Sequence, residues 1–283
     1  MEAVLLQHEP WVRMAIFAGV LAAMALWEVL SPRRILAHPR VRRWPANLGI
    51  ALLNAALLRL AGPMAAVGLA AAAGERGWGL LNQLELPSWL GLAAAVVALD
   101  LVIYVQHVLF HAVPALWRLH RMHHADLDFD VSTGTRFHPV EILLSAGIKL
   151  AAVAALGPSA LAVLVFEVLL NATAMFNHGN VRLPVAADRR LRWLVVTPDM
   201  HRVHHSAVPA ETNRNFGFSL PWWDRLFGTY LAQPAAGHER MRIGIAEFRD
   251  PAELRLHRML LQPLRDDKPG HELPVHSQGP APR

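Results

Sequence analysis

The chain has 283 residues, 54% of them hydrophobic and only 17% charged, with a positive mean hydropathy of +0.28, a membrane composition rather than that of an ordinary soluble domain. With no cysteine, disulfides, thiolate ligands, iron–sulfur clusters and cysteine nucleophiles are excluded, so any bound metal must rest on nitrogen and oxygen. The net charge of +5 comes from Arg rather than Lys, and its clustering in particular loops suits anionic lipid headgroups better than nucleic acid, for which no recognition motif is present.

In chain order, Trp11 to Leu30 is an apolar run of about twenty residues, long enough to cross a bilayer. The start Met1-Glu2-Ala3 lacks a basic region, so this run reads as an anchor and not a cleaved signal. The loop Ser31-Pro32-Arg33-Arg34 with Arg40, Arg42 and Arg43 is assigned to the cytoplasm by the positive-inside rule. Asn47 to Ala73 is a second apolar block, expected to kink or re-enter at Gly62-Pro63. After an outer linker, Gly74 to Ser88, the segment Trp89 to Phe110 returns inward. It carries Asp100, Tyr104, His107 and His111 at spacings that form one helical stripe. A carboxylate in a spanning helix is costly unless it faces the bundle interior.

His111 to Val140 is polar. Val140 to Leu156 and Ser159 to Phe176 read as a helical hairpin about Gly157-Pro158. Its returning arm puts Glu167, Asn171 and His178 on one face, and both stripes deliver histidine to the same side of the bilayer. Asn171-Ala172-Thr173 matches a glycosylation sequon but lies in a buried helix and is discounted. Asn180 to Tyr230 is soluble-looking and rich in Arg and Trp, and the last twenty residues read as a disordered tail.

The chemistry lies in a repeated phrase. His120-Arg121-Met122-His123-His124 returns as His201-Arg202-Val203-His204-His205. Positions i, i+3 and i+4 share a helix face, so each copy holds three imidazoles on one side, and two such faces make a metal cage. His107 and His111 are four residues apart, and His178 stands alone. The remaining histidines, His8, His38, His238, His257, His271 and His276, lie in polar or tail contexts and suggest no role. Pro221-Trp222-Trp223 reads as packing or an interfacial belt rather than a substrate box, and Lys149 as a snorkelling or paired cation.

This order of histidines, with membrane hairpins between the clusters, resembles the fatty acid hydroxylase/sterol desaturase superfamily of integral-membrane di-iron oxygenases. The likeness extends to Leu116-Trp117-Arg118-Leu119-His120, Thr135-Arg136-Phe137-His138-Pro139-Val140-Glu141, Thr197-Pro198-Asp199-Met200-His201, Asn215-Phe216-Gly217-Phe218 and Trp223-Asp224-Arg225-Leu226-Phe227-Gly228-Thr229-Tyr230. It divides the chain into anchor helices at 1–94, a catalytic domain at 95–232 and a polar C-terminal tail at 233–283.

The resemblance implies an all-α fold, an integral-membrane bundle of about four to five membrane helices with a cytosolic helical cap holding a His-rich dimetal site. The implied metal ligands are His107, His111, His120, His123, His124, His178, His201, His204 and His205. His138 matches a recurrent family histidine whose ligand status stays open. Some relatives carry a further histidine one turn before the lone one, where this chain has Ala174. Asp100, Asp199, Asp224 and Glu167 are candidates to orient the ligands from behind, each weighed against a structural salt bridge to a nearby Arg.

The implied function is O2-dependent hydroxylation or desaturation of a sterol, fatty acyl or related lipid at two iron ions, for which zinc can substitute on purification. With no dinucleotide fingerprint or haem module in the chain, electrons come from a ferredoxin- or cytochrome b5-type donor. The Ala-, Leu- and Arg-heavy composition favours a bacterial cytoplasmic membrane, with the metal site on the cytoplasmic side. The alternatives are a zinc-dependent membrane hydrolase and a metal-binding transporter. A hydrolase wants Glu beside its histidines, where Arg121 and Arg202 stand. A transporter wants ligands at the bilayer midplane, whereas most of these lie in polar segments.

Overall fold

The computed structural model describes residues 2–62 and 65–266. Over these residues the chain is helical, with two isolated β-bridges, Pro32 with Val181 and Ser206 with Ile243. A short helix α1 (Glu2–Gln7) leads into α2 (Glu9–Leu30), α3 (Arg40–Ala61), α4 (Ala65–Arg76) and α5 (Ser88–Ala112). Then come α6 (Pro114–His124), α7 (Pro139–Leu156) and α8 (Ala160–Asn177). Short helices build the cap, among them α9 (Val185–Leu191), α10 (Pro198–His204), α11 (Pro209–Thr212) and α12 (Trp222–Leu226). Among the described residues, five stretches are long and apolar enough to cross a membrane: Glu9–Leu30, Arg40–Gln83, Ser88–Ala112, Pro139–Leu156 and Ala160–Asn177. The chain is thus an all-α integral membrane protein. The expected break at Gly62-Pro63 coincides with the end of α3, but Pro63 lies outside the described residues, as do residues 267–283 of the expected C-terminal tail, His271 and His276 among them.

Local chemistry sets the helix ends. Pro114, Pro139 and Pro198 occupy the first turns of α6, α7 and α10, where a missing N–H costs nothing. The Ser159 hydroxyl accepts the Ala162 N–H at 3.2 Å to start α8. Gly157, between α7 and α8, has φ +62°, a left-handed conformation that favours glycine. A Cβ there would also lie 2.2 Å from the Trp78 carbonyl oxygen, so the hairpin turn sits directly on the loop after α4.

Leu99 and Ile103 of α5 pack with Val153 of α7 and with Val163, Leu164 and Phe166 of α8, while Ala66, Val67 and Ala70 of α4 close the group. Lipid tails are as apolar as these side chains, so close packing and buried polar pairs, not exclusion of water, join spanning helices. Glu167 of α8 supplies one such joint by pairing with both Arg13 of α2 and Lys149 of α7.

The basic loop behaves differently from the expectation that it serves lipid headgroups. Arg40 to Arg43 are already helical, and Arg43 is fully buried. It donates to both oxygens of Asp126 at 2.8 and 2.7 Å and to Asp130 at 2.6 Å. Glu28 accepts the backbone N–H groups of Val131 at 2.7 Å and Asn180 at 2.8 Å, and pairs with Arg40 at 3.1 Å. These arginines therefore clamp the first membrane helices to the cap, leaving less of the loop charge free for a lipid surface.

Candidate metal centre

Four pieces of chain meet beneath the cap. The last two turns of α5 bring His107 and His111, α6 brings His120, His123 and His124, His178 caps the end of α8, and α10 with its C-cap brings His201, His204 and His205. All nine are buried except His111, which is partly so. They sort into two groups, His107, His111, His120, His124 and His204 in one and His123, His178, His201 and His205 in the other. Within each group the ligand nitrogens lie within 4.8 Å of one another.

The grouping redraws the expected faces. In each H-x-x-H-H the first and last histidines, four apart, enter one group, and the middle one crosses to the other. The first copy gives His120 and His124 to the five-histidine group and His123 to its neighbour. The second gives His201 and His205 to the four-histidine group and His204 back. Arg121 and Arg202, which share a slot in the motif, share a task. Arg121 donates to the Gln262 carbonyl at 2.7 Å and Arg202 to the Gly179 carbonyl at 3.1 Å, the latter also pairing with Asp199.

Hydrogen bonds to backbone carbonyls fix which nitrogen faces inward in four of the nine rings. The Nδ1 of His107 meets the Phe216 carbonyl at 2.8 Å, that of His204 the Arg214 carbonyl at 2.8 Å, that of His178 the Ala174 carbonyl at 2.7 Å and that of His123 the Arg136 carbonyl at 3.2 Å. A carbonyl only accepts, so Nδ1 carries the proton and the Nε2 of each neutral ring presents a lone pair. Burial, with the neighbouring histidines, pushes His123, His124, His201, His204 and His205 well below their ordinary pKa. Burial also takes His178 down to about 4. Neutral Nε2 atoms nonetheless face each other at 3.0 Å for His204 and His107, and at 3.2 Å for His178 and His123. Facing lone pairs repel unless a cation lies between them. Two imidazole nitrogens about 2.1 Å from one ion stand roughly 3 to 3.5 Å apart. The nitrogens of His124 and His205 and the Nε2 of His111 are buried with no hydrogen-bond partner, as nitrogens awaiting an ion would be. The donor set therefore fits two transition-metal ions.

Behind the rings stand groups the sequence did not single out. Glu141, at the start of α7, places Oε1 2.7 Å from His120 Nδ1, and the Asn213 side-chain oxygen lies 3.2 Å from His111 Nδ1. Phe137 stacks on His123 at 4.4 Å between centroids. The four carboxylates that the resemblance suggested are engaged elsewhere. Asp224 accepts the Phe216 and Gly217 N–H groups, both at 2.8 Å, and so holds the loop whose carbonyl orients His107. Asp199 pairs with Arg33 and Arg202, Glu167 with Arg13 and Lys149, and Asp100 accepts the Trp223 indole N–H at 2.9 Å. His138 belongs to neither group. Its Nδ1 accepts the Val140 N–H at 3.2 Å, capping α7, and its Nε2 meets the Leu260 carbonyl at 3.3 Å. His238, expected to be idle, is buried 3.6 Å from Asp199.

Beneath the centre, Arg43 holds Asp126. Burial alone would raise that carboxyl, but the guanidinium keeps it far below the usual range. Arg136, whose carbonyl takes His123, is itself buried, which pushes it down to about 10, and it donates to the Met122 carbonyl at 2.8 Å.

A membrane helix bundle whose cap gathers nine imidazoles into two adjoining groups defines a class of integral-membrane, histidine-rich proteins built to hold metal. Residues 92–229, just under half of the chain, match the family model for fatty acid hydroxylase, and the chain's relatives support the fatty acid hydroxylase superfamily for this segment. It is similar to ornithine lipid hydroxylase OlsE of Rhizobium tropici, 29% identical over 53% of this chain and 44% of that protein. It is also similar to the alkylglycerol monooxygenases of Xenopus tropicalis, 26% identical over 55% of this chain and 34% of that one, and of Homo sapiens, 27% identical over 50% and 30%. The chain thus spans less than half the length of these curated relatives. No solved structure matches.

Proposed function

We propose that this protein is an oxidoreductase, a membrane-bound di-iron oxygenase that uses O2 and external electrons to hydroxylate a C–H bond of a lipid. The observation that carries the proposal is the pair of neighbouring imidazole groups whose inward nitrogens face one another at 3.0 to 3.2 Å. His107, His111, His120, His124 and His204 would hold one iron and His123, His178, His201 and His205 the other. Bound iron would supply the activation of O2 that no side chain can perform. The protein's own share is positional. Backbone carbonyls fix the tautomers of His107, His123, His178 and His204, Glu141 orients His120, and Phe137, Phe216 and Phe218 pack against the rings. An all-imidazole donor set leaves the ions highly charged. Glu141, the carboxylate at the centre, stands behind His120 rather than in the space between the rings, where a hydrolase would need its base.

Ferredoxin or cytochrome b5 chemistry fits the missing electron supply, and the arginine distribution supports a cytoplasmic cap on a bacterial inner membrane. The test is isotopic. Cells expressing the protein under 18O2 should accumulate a lipid carrying one heavy oxygen, and cells expressing the His123→Ala variant should not. Equal labelling in both would refute the assignment.

A further inference from the structure

A second feature lies next to the centre and has no part in holding metal. A cavity of about 200 Å³ opens between α5, α8 and the cap, lined by Val96, Phe166, Leu169, Leu194 and Leu220, with Asp100, Thr173 and Ser219 as its polar members. It opens sideways, since Leu169 on α8 is 42% exposed and Leu194 on the cap is 66% exposed. Its wall is the segment leading from Phe218, whose ring lies 6.0 Å from His107 and 6.2 Å from His201 and so touches both histidine groups. The cavity is thus lined by Ser219 and Leu220, which directly follow the ring that packs against both histidine groups.

Asp100 makes the cavity chemically specific. The residue is 1% exposed, and its Oδ2 already accepts the Leu220 N–H at 3.2 Å and the Trp223 indole N–H at 2.9 Å. The hydroxyl and backbone N–H of Ser219 lie beside the carboxylate, but neither meets Oδ1 with hydrogen-bond geometry, and that oxygen has no partner. The neighbouring hydroxyls are occupied with each other, Thr173 and Ser219 being 2.8 Å apart. A buried carboxylate oxygen left without a donor calls for one from a ligand. The same charge repels a phosphate or a free fatty acid carboxylate.

We propose that this cavity is the substrate subsite of the centre and that it selects lipids carrying a hydrogen-bond donor, an alcohol, amide N–H or ammonium, seated on Asp100. The proposal rests on the oxygenase reading for its function, but its test is a binding measurement that needs neither O2 nor electrons. Purified protein in lipid nanodiscs is exposed to hexadecan-1-ol bearing a chain diazirine, to its methyl ether and to the matching hexadecanoate. Photolabelled peptides are then mapped. The alcohol should label the α5 and α8 lining around Val96, Phe166 and Leu169 about tenfold more than the ether or the carboxylate, the ratio expected for one hydrogen bond to a charged acceptor.

Asp100→Asn keeps an acceptor for Trp223 and turns an amide N–H toward the ligand, so the alcohol-to-ether preference should collapse to about one. Leu169→Trp should block labelling by all three probes without loss of the histidine centre's metal. Equal labelling of wild-type protein by alcohol and ether, or labelling confined to other surfaces, would overturn the proposal whatever Asp100→Asn does. An unchanged preference in folded Asp100→Asn protein would overturn it as well. Normal labelling in a protein that fails to oxygenate any lipid would count against the oxygenase reading alone.

Discussion

The two histidine groups are neighbours built from the same motif, yet they are not equivalent. The first has five imidazoles, and behind its rings stand a carboxylate on His120 and an amide oxygen on His111. The second has four, and the ring partners found behind it are the backbone carbonyls of Arg136 and Ala174. A carboxylate that takes an imidazole N–H makes that ring a stronger donor than a carbonyl does. The five-histidine group is thus the more electron-rich site, although it contains the one partly exposed ring, His111, while the fully buried four-histidine group supplies one ligand fewer. Near-identical local sequence can be divided by tertiary structure into two unequal sites.

Substitutions that empty one group should break this contrast most sharply. His178→Ala leaves the four-histidine group with three rings and should abolish oxygen-dependent product, with metal content falling by one ion per chain and helical circular dichroism unchanged. His107→Ala in the five-histidine group leaves four rings, so more of its metal should survive while turnover falls. Equal metal loss in both variants would mean that the groups do not differ as described.

Removing one partner of the buried Arg43–Asp126 pair is expected to act on the whole molecule. Arg43→Met strands a buried carboxylate and should cost about 3–5 kcal/mol, seen as a lower midpoint of thermal unfolding in detergent. Glu141→Gln is more selective. It keeps the shape but weakens the grip on His120, and should reduce metal affinity at the five-histidine group about 10–100-fold in a chelator competition while sparing the other.

Acidification sharpens the comparison through protonation. The folded protein holds His178 near 4 and His123, His201 and His205 well below their ordinary value, whereas the unfolded chain takes up protons near pH 6.5. Between about pH 6.5 and 4 the unfolded state therefore binds more protons than the folded one, and stability falls as pH falls. Above pH 6.5 this contribution should be flat, and a metal-free sample followed by thermal unfolding across that range checks the sign. The smallest effect is expected for His138→Ala, which loses a helix cap worth about 1 kcal/mol and leaves the metal content intact.

The membrane helices and all nine clustered histidines were legible in the sequence because both are local signals. A long apolar run declares a span by itself, and His120, His123 and His124 declare a face by their spacing. The division of those faces between two groups was not legible, since it depends on how α6 and α10 cross. Glu141 was hidden for a similar reason. It stands 21 residues from His120, and only the start of α7 at Pro139 brings it there, so the nearby His138 drew notice instead. Arg43 showed charge in a basic loop, and nothing local told that Asp126 and Asp130 would bury it. Asp100 stood out correctly as an expensive carboxylate in a spanning helix, but its contacts face the cap loop and the cavity.

The most direct test of two unequal metal sites is iron content per chain together with the Mössbauer spectrum of detergent-purified protein produced with iron-57. The proposed di-iron assignment predicts two irons per chain and two distinct quadrupole doublets, with His178→Ala removing one doublet and leaving the other. A single iron per chain, one doublet of two equivalent ions, or folded protein that takes up no iron under these conditions would contradict it.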